Sequence, residues 1–478
     1  MIALYVVLSA FLVFVAVILI RTLLFKLKKL DGIMREPIAV DSASVAASLS
    51  EMIKCKTVSS FKEELEDEAE FIKFEEKLKS LFPNVHAKCS LIKPSKRALL
   101  YKWAGESSKE PVVLMSHYDV VSAEEDKWEK PAFSGLIEDG FIWGRGAIDT
   151  KCTLNGIMHA AESLIKDGFV PKADVYFAFG GNEEIAGNGA PSVVNYFCEN
   201  GITPGFVLDE GGAVVSDVFP GVKEPCALIG IAEKGMVNIE YSVKSSGGHA
   251  SAPLSETPIG ILSRACARLE SKPFKFTVTP PAKMLFDNLA RRSSFIYRMI
   301  FANLWCFAPL LNKVSAKSGG QMNALLRTTV AFTEMMADEG MNVIPTEAKM
   351  ISNSRIIPGE TVESVVTRVK KCVKNSKIEI KAVNGNNPST ISDVQTCVYK
   401  KLEKVIRESF EGVAVSPYLM IACSDSRHFS RISNKVYRFS PFRLTKEGNE
   451  SIHGNNEKIS QDSAAKIVEF YIRLIKSF

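Results

Sequence analysis

Four short stretches place acidic or imidazole side chains directly behind apolar runs. His117 and Asp119 follow Val112 to Met115, and Asp149 follows Gly144-Arg145-Gly146-Ala147-Ile148. Glu183 and Glu184 follow the run Ala173 to Phe179, and Asp209 and Glu210 follow Gly205 to Leu208. An apolar strand does not ordinarily end in two adjacent glutamates unless something offsets their repulsion, and a metal would do so. Imidazole and carboxylate together suit zinc with positions left open for water. A pair of ions about 3.5–4 Å apart needs one carboxylate to bridge it. Two dications set against three carboxylates and neutral imidazoles leave a single positive charge, which one hydroxide balances. The ions bring a coordinated water to deprotonation near neutral pH. A carboxylate left off the metals can then act as general base. Of two adjacent acids, one can bind and the other can take the proton. Adjacent strand residues face opposite ways, so only one of Asp209 and Glu210 should reach such a site. The residues alone do not say which.

These groups need elements that bring them to one place. From about residue 60 to 230, short apolar runs bounded by turn signals alternate with helix-period segments. One such segment carries Leu154, Ile157, Met158, Ala161, Leu164 and Ile165 on one face, with Gly168 as its stop. That alternation predicts an α/β fold, a mostly parallel sheet flanked by helices, whose ligands lie beyond the carboxyl ends of the strands. Around 234 the texture changes. Gly235 to Val243 alternates like a half-exposed strand, and Thr257 with Pro258 opens a helix to Leu269. Further strands over Val330 to Glu334 and Ala348 to Asn353, and a helix over Thr361 to Val373, complete an inserted α+β module. The expected organisation is an anchor at 1–30, a catalytic domain over 31–233 and 385–478, and an inserted lid and dimerisation domain over 234–384. Within the insert, Lys283 to Pro309 is apolar and aromatic. It reads as a helical hairpin buried in the module, or as a surface for a bilayer or an acyl chain.

The chain has 478 residues, with 59 basic and 54 acidic ones, a net charge of +5. The composition is globular, and the small dispersed excess argues against nucleic acid. Ten cysteines without a CxxC pair read as scattered thiols. Ile2 to Ile20 carry no charge, and Arg21, Lys26, Lys28 and Lys29 follow. No basic stretch precedes the apolar one and no small-x-small cleavage site follows it. The segment therefore reads as a single uncleaved membrane anchor, with the basic flank favouring a cytoplasmic body.

The motifs resemble those of the co-catalytic zinc metallopeptidases, the family of carboxypeptidase S, Gly-Xaa carboxypeptidase, aminoacylase and the N-acyl-amino-acid hydrolases. The HxD at 117–119, GRGAxDxK at 144–151, the Glu183-Glu184 pair, Gly247-Gly248-His249-Ala250-Ser251 and Ile452-His453-Gly454-Asn455-Asn456-Glu457 occur in that family's order. The resemblance implies two zinc ions per subunit, with cobalt or manganese as substitutes. His117 and Asp209 would hold one ion, His453 and Glu184 the other, and Asp149 would bridge them. Glu183 would be the general base, and Asp119 would orient the His117 ring. His249 would reach the active site of a neighbouring subunit to steady the oxyanion, which implies a homodimer. Asn342 and Arg355 would contact substrate, and Arg355 has a physical rationale of its own. A metal site close to neutral leaves the substrate carboxylate in need of a cation, which a guanidinium fork supplies. His428 and Cys423 lie in a family-like segment, where His428 reads as a structural residue or a substrate contact and Cys423 as a small packing residue or a reactive thiol.

The resulting expectation is a membrane-anchored di-zinc hydrolase. It would cleave the amide to a C-terminal amino acid, or that of an N-acyl amino acid, from a substrate with a free carboxylate. The competing readings are a non-catalytic metal-binding scaffold and another amidohydrolase chemistry, such as deamination, on the same fold.

Overall fold

The short apolar runs become strands because they are too brief for helices and rich in Val, Ile and Phe. A computed structural model describes residues 1–25, 36, 38–216, 221–338 and 340–478. Lys26, Lys28 and Lys29, on which the basic flank of the anchor rests, lie outside the described residues.

Chain order gives β1 (Ser90–Ser95), β2 (Ala98–Trp103), β3 (Ser107–His117), β4 (Ala173–Gly180), β5 (Phe206–Asp209) and β6 (Cys226–Glu233) before the insert. The insert contributes β7 (Gly235–Lys244), β8 (Thr329–Ala337), β9 (Glu347–Ile356) and β10 (Glu379–Asn386), and β11 (Ala414–Met420) and β12 (Val436–Arg438) follow it. A ten-stranded sheet runs β1-β2-β4-β3-β5-β12-β6, continues through Val214–Val215 and Arg443–Leu444, and carries β11 on β6. Its centre is parallel: β3 pairs with β4 and with β5, and β5 pairs with β12, all in one direction. The β2–β4 and β12–β6 pairs are antiparallel, so the parallel order expected from the sequence holds where the acidic strand ends lie.

Helices cover both faces. The helix Lys151–Lys166 and the C-terminal helix Gln461–Ser477 pack on one, through Leu154, Ile157, Ile467 and Phe470. Gly168 sits at φ +74° just past the first of these, where glycine is at no disadvantage. The other face holds Gly189–Glu199, with Val193 and Phe197 against Val113 and Val207.

The insert has a separate core. The antiparallel sheet β8-β9-β7-β10 is backed by Pro258–Glu270 and Val362–Val373, which meet through Leu262, Val365 and Val369. Thr257 caps the first of these helices with its side chain, and Pro258 takes the first helical position, as the sequence predicts. The apolar segment departs from the expected buried hairpin. It forms α2 (Pro280–Leu289), α3 (Phe295–Ala302), α4 (Leu304–Ser318) and α5 (Gly320–Leu326), counted after the N-terminal helix α1 (Ile2–Leu24). Leu285, Phe286 and Phe301 pack on Cys226, Leu228 and Ala414 at the β6–β11 edge of the large sheet, not on the lid core. All ten cysteines are free thiols.

Candidate active site

The carboxyl ends of β3, β4 and β5 lie side by side, and the loops leaving them carry the chemistry. His117, the last residue of β3, is 2% exposed. Its Nε2 lies 3.1 Å from Asp149 Oδ1 and 3.5 Å from Glu210 Oε1. Its Nδ1 lies 2.9 Å from the Asp119 carbonyl, which directs Nε2 inward. The second oxygen of Asp149 meets His453 Nε2 at 3.0 Å, and that same nitrogen meets Glu184 Oε2 at 3.0 Å. Asp149 thus presents one oxygen to each imidazole. Donor atoms of His117, Asp149 and Glu184 lie within 4.8 Å of one another, and so do those of His117, Glu183 and Glu210.

The supports are themselves charged and buried. The carboxylate of Asp119, with no exposed surface, accepts from the backbone N–H of Glu183 at 3.0 Å and of Glu184 at 3.1 Å. It therefore clips the loop after β4 as well as lying beside the His117 ring. Glu457 does the same for the loop before Asp149. Its Oε1 accepts from Ile148 N at 2.7 Å and Asp149 N at 3.0 Å, and its Oε2 from Gly146 N at 3.1 Å and Arg145 Nη1 at 2.9 Å. Gly146, at φ +89°, lets that loop fold back; a Cβ there would come 2.9 Å from Val120.

The sequence-based choice between Asp209 and Glu210 is reversed in this geometry. Asp209 accepts from Ser426 N at 2.8 Å and from Glu210 N at 2.9 Å, pointing away from His117. Val207 and Asp209 share the face of β5 that packs toward Phe429. Leu208 and Glu210 share the opposite one. Alternation does hold, and it delivers the other residue.

The electrostatics are those of a site with too many carboxylates. Burial pushes the Glu183 carboxyl well above its ordinary range; His117 opposes this, and Asp425, Glu184 and Asp119 add to it. Burial likewise raises Glu210 well above the carboxylate range, against the pull of His117. Asp425 is pushed up to about 7 by burial. Burial would also raise Asp149, but hydrogen bonds from His117 and His453 hold it below its ordinary value. The hydrogen bonds to Asp149 and Glu184 raise His453 to about 10. Carboxylates that raise one another, and imidazoles that hold protons to balance them, are what a dication pair would replace. The donor set fits such a pair.

The lid residues stand differently. His249 is exposed, with its Nδ1 taken up by Ser251 at 3.1 Å from the backbone N–H and 2.7 Å from the hydroxyl. Asn342 is exposed beside it, its carbonyl accepting from Ala250 N at 2.9 Å. Among the described residues, neither hydrogen-bonds a group at the strand ends. Arg355, on β9, does bridge: its Nη1 lies 3.5 Å from Cys423 Sγ, and its Nε donates to Asn353 Oδ1 at 3.1 Å. Burial raises the Cys423 thiol, and Glu233 and Glu183 add to the rise. His428 is pushed down to about 4 by burial, and its Nε2 has no partner among the described residues.

Beneath the site lies a network the sequence reading did not anticipate. Glu233 and Arg438, 1% and 0% exposed, form an ion pair. Glu233 also accepts from Ser424 N at 2.8 Å and from Ser426 Oγ at 3.2 Å, so it fixes the loop that holds Asp209. A single arginine in the apolar run Val436-Tyr437-Arg438-Phe439 was the available signal.

Comparisons with known proteins agree with the motifs. The chain is 38% identical over 416 residues to probable carboxypeptidase S-like 2 of Dictyostelium discoideum, covering 86% of this chain and 80% of that protein. It is 37% identical over 487 residues to N-fatty-acyl-amino acid synthase/hydrolase PM20D1 of Xenopus tropicalis, covering 98% and 94%. In fold it resembles human carnosine dipeptidase 1, with a TM-score of 0.66 at 13% identity over 91% of this chain and 96% of that one. An M20 family metallo-carboxypeptidase from Sulfolobus solfataricus gives a TM-score of 0.65 at 18% identity over 92% and 99%. The sequence pattern of one family runs through residues 113–477, from the strand that ends in His117 to the helix behind the metal-ligand candidates, and the chain belongs to that family, peptidase family M20/M25/M40.

Proposed function

We propose that this chain is a membrane-anchored hydrolase, using two zinc ions, that cleaves the amide between an acyl or aminoacyl group and an amino acid bearing a free carboxylate. The observation that carries the reading is Asp149, which turns one oxygen to His117 and the other to His453. Glu210 stands beside His117 and Glu184 beside His453. His117 and Glu210 would hold one zinc, His453 and Glu184 the other, with Asp149 shared; cobalt or manganese would serve in their place. Glu210 thus takes the role the resemblance gave to Asp209. The ions supply Lewis acidity and a nucleophilic water at neutral pH.

This chain's residues do the rest. Glu183, the acid of the pair that bonds neither imidazole, takes the proton of the attacking water and passes it to the leaving amine. Its environment, which favours the protonated carboxyl, suits the second half of that transfer. Asp119 holds both the His117 ring and the backbone of Glu183. Arg355 grips the substrate carboxylate from the lid, with Asn342 beside the same cleft, and His249 of one subunit steadies the oxyanion in the other, in a homodimer.

The two relatives described above bear names for cleavage beside an amino acid, one as a carboxypeptidase, the other as an N-fatty-acyl-amino acid hydrolase. Both substrates share the carboxylate-bearing amino acid. The apolar insert and the anchor favour the acyl form. α1 has 23 residues, about 35 Å of helix and enough to span the hydrocarbon layer. The basic residues after it favour a cytoplasmic body.

The test incubates the full chain, loaded with zinc, with N-acyl amino acids and dipeptides and reads the products by mass spectrometry. Release of free amino acid is expected, abolished by chelator and restored by zinc. Glu183→Gln should lower the rate by about 10²–10⁴-fold with zinc content unchanged. Two bound zinc ions without turnover of any carboxylate-bearing amide would favour the scaffold.

A further inference from the structure

The helices that leave the lid and lie on the large sheet expose what a soluble protein hides. Phe295 to Leu311 is a run of 17 residues with one charge, Arg298. Ile296 is 64% exposed, Trp305 55%, Leu310 51% and Phe295 44%. An exposed apolar surface of this extent marks an interaction site.

Its place relative to α1 says what covers it. Asn303, between α3 and α4, has no exposed surface. Its amide lies 3.2 Å from the Ile18 carbonyl and 3.2 Å from Thr22 Oγ1 on α1, and 2.9 Å from the Met299 carbonyl. Arg21 Nη2 donates to the Ala302 carbonyl at 3.2 Å. Trp305 meets Phe14 edge-on, with ring centroids 5.7 Å apart. A buried amide that joins two apolar helices through hydrogen bonds is a fastening typical of the membrane interior.

Depth follows from helix geometry. The uncharged stretch of α1 ends at Ile20, and Phe14 lies six residues before it, about 9 Å along the axis. A ring touching Phe14 is therefore level with the outer acyl chains, the depth reached by helices lying in a bilayer surface, about 5–10 Å. The cations sit at the right height above it. Arg21, Lys283 and Arg291, three cations against the one acid Asp287, line a cavity at the foot of α1, and Arg291 stacks on Phe25 at 4.0 Å. Lys313 and Lys317, in the second half of α4, are exposed.

We propose that α3 and the first half of α4 lie in the leaflet from which α1 emerges, a second footing that rests the β6–β11 edge of the catalytic body on the bilayer. The occupant is the phospholipid surface itself. This rests on α1 as a membrane anchor, and the test separates the two.

Trp305 is one of four tryptophans; Trp103, Trp128 and Trp143 are 0%, 9% and 8% exposed, inside the catalytic body. The full chain is reconstituted in phosphatidylcholine nanodiscs with plain or brominated acyl chains, and tryptophan emission is compared. Brominated lipid should remove Trp305's share of the emission. Trp305→Phe should abolish that loss, and adding Leu310→Trp to it should restore one. Equal emission in the two lipids would overturn the footing and leave the anchor standing; it is the result expected if a second copy or a protein partner covered the face instead. A loss unchanged in Trp305→Phe would also overturn it. A chain that does not enter nanodiscs overturns anchor and footing together.

Discussion

The strand-end cluster and the lid residues offer opposite solutions to presenting a polar group. The loops around Asp149 are each held by a buried charge: Glu457 clips its own loop, Asp119 clips the Glu183 loop, and Glu233 with Arg438 fixes the loop under Asp209. His249 and Asn342 are exposed and bonded only to their neighbours in sequence or to each other's short strand. A buried polar cluster must be fully satisfied or it is costly, and satisfaction makes it rigid. An exposed imidazole costs nothing to leave waiting. The cluster is thus built for one geometry, while the exposed pair is free to meet the substrate and the partner subunit of the proposed function. Arg355, touching Cys423 across the gap, belongs to both.

The sharpest break of that contrast comes from removing a clip. Glu457→Ala leaves Arg145 buried without its carboxylate, and the expected cost is about 3–5 kcal/mol, read as a fall in the denaturation midpoint together with lost metal. His249→Ala should do the reverse. Activity falls by about 10²–10³-fold, the size of a lost oxyanion donor, while melting temperature and zinc content stay at wild-type values. If His249→Ala lowers the melting temperature instead, the distinction between preassembled and waiting groups fails. A finer cut lies within the cluster. Asp209→Asn should cost about 1–3 kcal/mol of stability through its Ser426 and Glu210 N–H partners and keep both zincs. Glu210→Gln should lose zinc from the His117 side with the smaller change in stability. The opposite pattern in metal analysis would return the ligand role to Asp209.

The smallest effect concerns the crossing between the two regions. Lys234, with no exposed surface, donates to the carbonyls of Ala324 and Arg327 at 3.0 Å each. Burial, helped by Arg355, pushes it from 10.5 down to about 7. Between those values the unfolded chain holds a proton that the folded chain does not, so this group makes stability rise with pH. Lys151, pushed down to about 8 by burial, acts in the same sense. Buried thiols raised above 9.0, such as Cys55, work against it beyond that point. Relative to Lys234→Met, the parent should therefore gain melting temperature from pH 7 to 9, because His453, raised to about 10 and acting in the opposite sense, contributes equally to both chains.

Most of this was legible in the chain, for reasons that differ by residue. The motif order and the alternation of runs carried the α/β fold, and His117, Asp149, Glu183 and Glu184 stand out because charged residues at or near apolar strand ends need a reason, whereas His453, in the loop after Lys446–Ser451, came only from the family resemblance. The choice between Asp209 and Glu210 depends on which face of a four-residue strand meets the metal side, and so short a strand does not reveal its own rotation. Glu457 sits in a polar stretch that looks like surface, and its partner Arg145 lies 312 residues away. The segment after Lys283 displays an apolar pattern that a buried hairpin and an outward face share; only the structure shows it packing on β6 and β11 with Ile296, Trp305 and Leu310 left exposed.

The same separation between Arg145 and Glu457 sets a timetable. When the Gly144–Asp149 loop leaves the ribosome, the carboxylate that shapes it has yet to be made, and so has His453. The whole insert must be translated first. A nascent chain therefore holds half of this cluster for most of its synthesis, and the cluster closes only when the last residues of the catalytic body arrive.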